Sequence, residues 1–200
     1  MYPYNHKFGQ KIQTGAKGVS ADRAFLANVN IPAALAADSA GMKDGAATSA
    51  TAITTISTFL RQPDWPRNIV VVVAATTAAD IAACNIVVTG INFADEVITE
   101  THAVTADTAG TFTGTKAFKT VTSVVVPIQD GASVTVDVGW GVIFGLPYKL
   151  YADELVLLKL FNKAVDAATV IADAADVEKN TIDMAGTPDG TKDIDLYIIV

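Results

Sequence analysis

The change of texture at Ile53 constrains this chain more than any other feature. From there onward, short runs of β-branched residues alternate with turn signals, the pattern of an all-β sandwich or barrel. Strands are expected over 53–60, 68–74, 85–91, 97–101, 118–127, 133–138, 154–161 and 194–200. In the string SVTVDV, Val134, Val136 and Val138 fall on one face while Ser133, Thr135 and Asp137 fall on the other, which predicts a half-buried strand. Asp130-Gly131 and Asp189-Gly190 each precede a strand, and Thr89-Gly90, Ala109-Gly110 and Thr113-Gly114 break the middle of the chain. Such spacing favours a meander or Greek key, so the expected fold is an antiparallel β-sandwich or barrel of jelly-roll or Greek-key type. Residues 162–177 put Val165, Thr169 and Ala172 on one helical face, but 164–172 also suits a strand followed by an Asp-rich turn, and the strand is the preferred reading.

Residues 1–50 differ from the rest. Gly, Ala, Ser and Asp dominate and large aliphatics are sparse, so this stretch reads as an extended N-terminal arm ahead of a sandwich domain at 51–200. Tyr2, Tyr4, Phe8, Phe25 and Leu26 are the arm's candidate partner-contact residues, because they are spaced too widely for one helix face and each needs a pocket elsewhere. A short alanine helix is possible over 33–37, with Gly41 and Gly45 ending it.

Charge narrows the partners. Fourteen Lys and Arg against 21 Asp and Glu leave a net charge of −7, and no basic stripe is interleaved with aromatics, which argues against nucleic acid and anionic membrane surfaces. The first residues, MYPYNHKFGQK, lack the apolar core of a signal peptide, and no apolar run reaches the length of a membrane span. The single cysteine, Cys84, lies in an apolar string and is expected to be a small buried residue.

Catalytic and metal-binding patterns are not found. His6 and His102 stand in unrelated settings, and neither has a second ligand at zinc-site spacing, so both are expected to be exposed or capped. No nucleophile elbow, phosphate cradle or dinucleotide fingerprint occurs. Two acidic groups remain, Asp95, Glu96 and Glu100, then Asp166, Asp173, Asp176 and Glu178. They offer hard oxygen ligands but match no EF-hand loop, and solvated strand faces and turns account for them. No catalytic residue, cofactor or metal site is assigned. Gly139-Trp140-Gly141 suits a ring plugging a core or anchoring an interface, with the core preferred. Trp65 sits in a stiff PDWP segment at the start of the sandwich or as a lid over its end.

From Pro66 to Leu150 the chain resembles a module of virion structural proteins of tailed bacteriophages. The resemblance is carried by PRNIVVV, by VVTG at Val87 to Gly90, by VITET at Val97 to Thr101, by GTKAFKTVTSVVVP at Gly114 to Pro127, and by VGWGVIFGLPYKL at Val138 to Leu150. It covers somewhat under half of the chain. It departs before VITET, where Asn92-Phe93-Ala94-Asp95-Glu96 stands in place of a polar glycine turn. The resemblance implies a non-catalytic capsid decoration, or cement, protein made in the host cytoplasm. It would sit on the outer capsid surface, bind the major capsid protein, associate with itself as a homotrimer and bridge capsomers against DNA pressure. A neck or tail component and a carbohydrate- or cell-surface-binding sandwich are the alternative readings.

Overall fold

A computed structural model describes residues 12–13, 16–18, 20–21 and 24–200. The described strands are β1 (Ile12–Gln13), β2 (Ser20–Ala21), β3 (Leu26–Ile31), β4 (Asp38–Ala47), β5 (Thr54–Ile56), β6 (Arg67–Ala75), β7 (Cys84–Ile91) and β8 (Val97–Val104). They continue with β9 (Gly110–Phe118), β10 (Thr120–Val126), β11 (Val134–Gly145), β12 (Val156–Phe161), β13 (Ala164–Val165), β14 (Thr169–Ile171), β15 (Thr181–Asp183) and β16 (Ile194–Ile199). Among the described residues only single 3-10 turns, at Ala78–Asp80, Asp153–Leu155 and Val177–Lys179, interrupt this all-β fold, and every described strand pairing is antiparallel. The 162–177 segment carries two short strands and no helix, as preferred.

β1 and β2 form a hairpin; the other strands make three sheets. β5, β10, β7 and β8 form a four-stranded sheet, and β13, β12, β16 and β3 form another. Between them runs a six-stranded sheet ordered β14-β15-β11-β6-β9, with β4 also on β11. The first four-stranded sheet packs on one half of the six-stranded sheet, around Met42, Ile69, Val71, Val88, Phe118, Val136, Val138 and Trp140. The second packs on the other half, around Val29, Ile31, Phe144, Leu146, Ile182, Leu196 and Ile198. These are two sandwich lobes with separate cores, and β11 runs through both.

The crossing point is a bulge. Trp140 pairs with Ile69 but the next pair is Phe144 with Arg67, so β11 carries two residues more than β6 over this step. Asn68, fully buried, holds the bulge by accepting from Ile143 N at 3.1 Å and donating to Gly114 O at 3.0 Å. Arg67 is also fully buried. Its guanidinium lies 4.1 Å over the Phe144 ring, donates to Leu35 O at 2.6 Å and Gly141 O at 3.3 Å, and pairs with Asp64 at 3.1 Å. Burial pushes its pKa down to about 10 although Asp64 pulls the other way.

Two expectations about the first fifty residues are corrected. Residues 26–31 and 38–47 are not an extended arm: β3 pairs with β16 along its whole length, and β4 pairs with β11. The sandwich therefore draws strands from well before residue 51. β4 looks unfit for burial because it is rich in Gly and Ala, yet small residues are what its neighbour demands. A Cβ on Gly41 would stand 2.7 Å from the Trp140 ring, and one on Gly139 would collide with Asp38 O. No helix forms over 33–37 either; Ala33 turns with φ 46°, and its neighbours bond outward, Ala34 N to Lys192 O and Leu35 N to Asp64 Oδ2.

Smaller corrections concern single elements. The strand expected over 53–60 shortens to β5, while β9 and β15 were not anticipated. Cys84 is half-buried at the edge of the first core and receives a long contact from Gln129 Nε2 at 3.5 Å. Trp140 is the core plug preferred from sequence, 1% exposed, with its Nε1 donating to Ala36 O at 3.0 Å and Arg61 stacked 4.6 Å over the ring. Trp65 packs on the second core and donates to Gly145 O at 2.9 Å.

Candidate functional site

In the second lobe, alternation along β16 sends Ile194, Leu196 and Ile198 into the core and leaves the intervening residues facing away from it. Register then fixes what shares that outer face. Tyr197 lies between Leu158 and Asn28, Asp195 between Leu160 and Asn30, and Ile199 beside Leu26, while Val165 flanks Leu160. The outer face is thus apolar over Leu26, Leu158, Leu160, Val165, Tyr197 and Ile199. Leu26 is 61% and Val165 79% exposed. Its polar corner is self-satisfied, with Asn30 Nδ2 donating to Asp195 Oδ1 at 2.7 Å. A four-stranded sheet normally turns such a face to water only when it is polar, so an apolar one marks a contact surface.

Of the partner-contact residues expected from sequence, Tyr2, Tyr4 and Phe8 lie outside the described residues. Leu26 belongs to this face. Phe25 precedes it, 38% exposed, and exchanges backbone hydrogen bonds with Val200 in both directions at 2.9 Å. Leu158, Leu160, Val165, Tyr197 and Ile199 were missed. The available signal was that VLLKLF and IDLYIIV are apolar on both faces, which a strand covered on one side does not need.

The acidic groups resolve into structural roles. Asp95 pairs with Lys119 at 2.6 Å. Glu100 Oε1 accepts from Thr115 N at 2.7 Å and Lys116 N at 3.3 Å, clamping β8 to β9. Asn92 brings one member of each group together, since its Nδ2 donates to Glu96 Oε2 at 3.0 Å and Glu178 Oε2 at 3.1 Å. Asp166 caps the turn at Ala185 and Gly186, both at 2.9 Å. Asp173 accepts from Ala175 N and Asp176 N at 2.8 Å, and those bonds lower its pKa, while Lys179 closes on Asp176 at 2.7 Å. Among the described residues no group of three or more His, Cys, Asp or Glu is placed to hold a metal ion.

His102 corrects another expectation. It is not exposed but 5% accessible, facing inward between Ile98 and Val104, with no hydrogen-bond partner for Nε2. Desolvation depresses its pKa below the ordinary 6.5, and the nearby Glu100 charge only partly opposes this. His6 lies outside the described residues.

No protein-family model, curated protein or solved structure matches this chain. The contact face therefore stands on its own geometry. Among the described residues no helix is long and apolar enough to cross a membrane.

Proposed function

We propose that this chain is a non-catalytic structural protein of the capsid-decoration type, and that the apolar outer face of the β13-β12-β16-β3 sheet is where it meets the major capsid protein. The observation that carries the reading is the continuity of that face across β3, β12, β13 and β16, from Leu26 at the start of β3 to Val165 on β13. The partner's chemistry follows from the face: an apolar patch, or an extended segment lying across it. Burial of such a patch contributes roughly 25 cal/mol per Å² of apolar area, so a modest contact repeated by several associated copies yields stable attachment. Self-association as a trimer on the outer capsid surface is part of the same reading and draws on the resemblance to tailed-phage virion proteins.

The test is attachment of purified protein to undecorated particles, followed by imaging of the decorated ones. Leu158→Asp with Tyr197→Asp places two charges at outward positions and is expected to leave the circular dichroism unchanged while weakening attachment at least tenfold. Unchanged attachment would overturn the assignment of the face. Density confined to a neck or tail would move the protein to that alternative.

A further inference from the structure

A trough crosses the outer side of the six-stranded sheet where β11 passes from one lobe to the other. It encloses about 470 Å³, within the range of roughly 300–1,000 Å³ usual for ligand pockets. Buried Val70, Trp140 and Gly141 form its floor, and exposed Ser39, Thr111, Thr113 and Asp183 stand at its rim. Those four polar residues come from β4, β9 and β15, and register sets them at opposite ends of the trough: Thr113 pairs with Val70 on β6, and Asp183 pairs with Ile143 on β11 beside the bulge. None of the four side chains makes a hydrogen bond or ion pair with another residue. Asn68, the remaining polar lining residue, is committed on both ends of its amide to the bulge and to Gly114.

Asp183 is the single ionisable residue lining the trough, and no cation stands against it. The wall around it raises its pKa by desolvation, the sign of a carboxylate short of a counter-charge. Across β11 and β6 from it, the Thr111 and Thr113 hydroxyls on β9 offer acceptor lone pairs, and between the two ends Val70 and Val142 offer an apolar bed of the kind on which the stem of a long basic side chain lies.

We propose that this trough is a binding site for an ammonium or guanidinium group, presented as a lysine or arginine side chain by a partner protein. Asp183 supplies the counter-charge at the β15 end, and the stem lies over Val142 and Val70 toward the Thr111 and Thr113 hydroxyls on β9. The site is separate from the apolar face and does not depend on what docks there.

The experiment is an amide chemical-shift titration of the full chain with N-acetyl-arginine amide, N-acetyl-lysine amide, spermidine and a neutral methyl glucoside. The two blocked amino acids are expected to give saturable shifts at Ser39, Thr111, Thr113 and Asp183. Asp183→Asn, whose side chain makes no bond to lose, should weaken that binding at least tenfold, while Asp44→Asn on the exposed part of β4 leaves it within twofold. Shifts spread over the acidic surface, or equal binding by Asp183→Asn, would overturn the site. Tighter binding of spermidine would replace the protein partner with a free polyamine, and preference for the glucoside would replace the cation with a polyol. Each of these outcomes is independent of attachment to particles.

Discussion

The first lobe takes its core from one continuous stretch, Met42 to Trp140, whereas the second joins Val29 and Ile31 near the start of the described chain to Leu196 and Ile198 near its other end. Asn30 and Asp195, which bond across the second lobe, are 165 positions apart. Neighbouring strands in the first lobe, such as β7 and β8, meet across a short turn. Closing a long loop costs entropy before any contact repays it, so the second lobe depends on the first as a platform. The shared strand β11 and the Arg67 hub supply that dependence, because the same backbone that ends one core begins the other.

The largest expected effect comes from the middle of β11. Trp140→Ala empties the first core and frees Ala36 O and Arg61 from their partner, for an expected loss of about 3–5 kcal/mol. Urea unfolding of this variant, followed by circular dichroism and by the remaining Trp65 in the second core, should give coincident transitions if β11 couples the lobes. Two separated transitions would break the comparison by making the lobes independent.

Arg67→Met asks the same question at the junction. It removes the donor to Leu35 O and Gly141 O and is expected to cost about 2–3 kcal/mol through carbonyls left without a partner. Because the hub ties Phe144 to the first lobe, Trp65 fluorescence should report unfolding at lower urea than Trp140 fluorescence does. Superimposable loss at both tryptophans would mean that the bulge alone couples the lobes.

The smallest effect is confined to the first lobe. The depressed pKa of His102 means that the unfolded chain binds the proton more readily, so its contribution to stability is fully present above about pH 6.5 and is lost as pH falls through the lower folded value. His102→Phe should flatten that part of the pH–stability curve while leaving the pH 8 stability nearly unchanged. An unaltered slope in the variant would assign the pH dependence elsewhere.

How much of this could be read in advance varied with composition. Alternation in SVTVDV placed Val134, Val136 and Val138 on the core face, and all three are fully buried. β4 escaped notice because its burial is mostly of small residues, made possible by a tryptophan about a hundred positions away. Arg67 stands just before the strand expected over 68–74, and nothing local to PRNIVVV reveals that Phe144, Leu35 and Asp64 converge on it. The contact face was half legible: Leu26 was singled out, but its neighbours became visible only once register joined β3 to β16. Ser39 and Asp183 share a trough through β11 alone, a proximity that no spacing rule carries.

The reciprocal bonds between Phe25 and Val200 have a mechanical meaning. They lie at one end of the antiparallel β3–β16 ladder, and the bonds of such a ladder run across the strands. Tension applied between these two positions would peel the pairs apart one after another instead of shearing them all at once. A force that separates these two positions would thus meet a soft zipper, yielding pair by pair along β3 and β16.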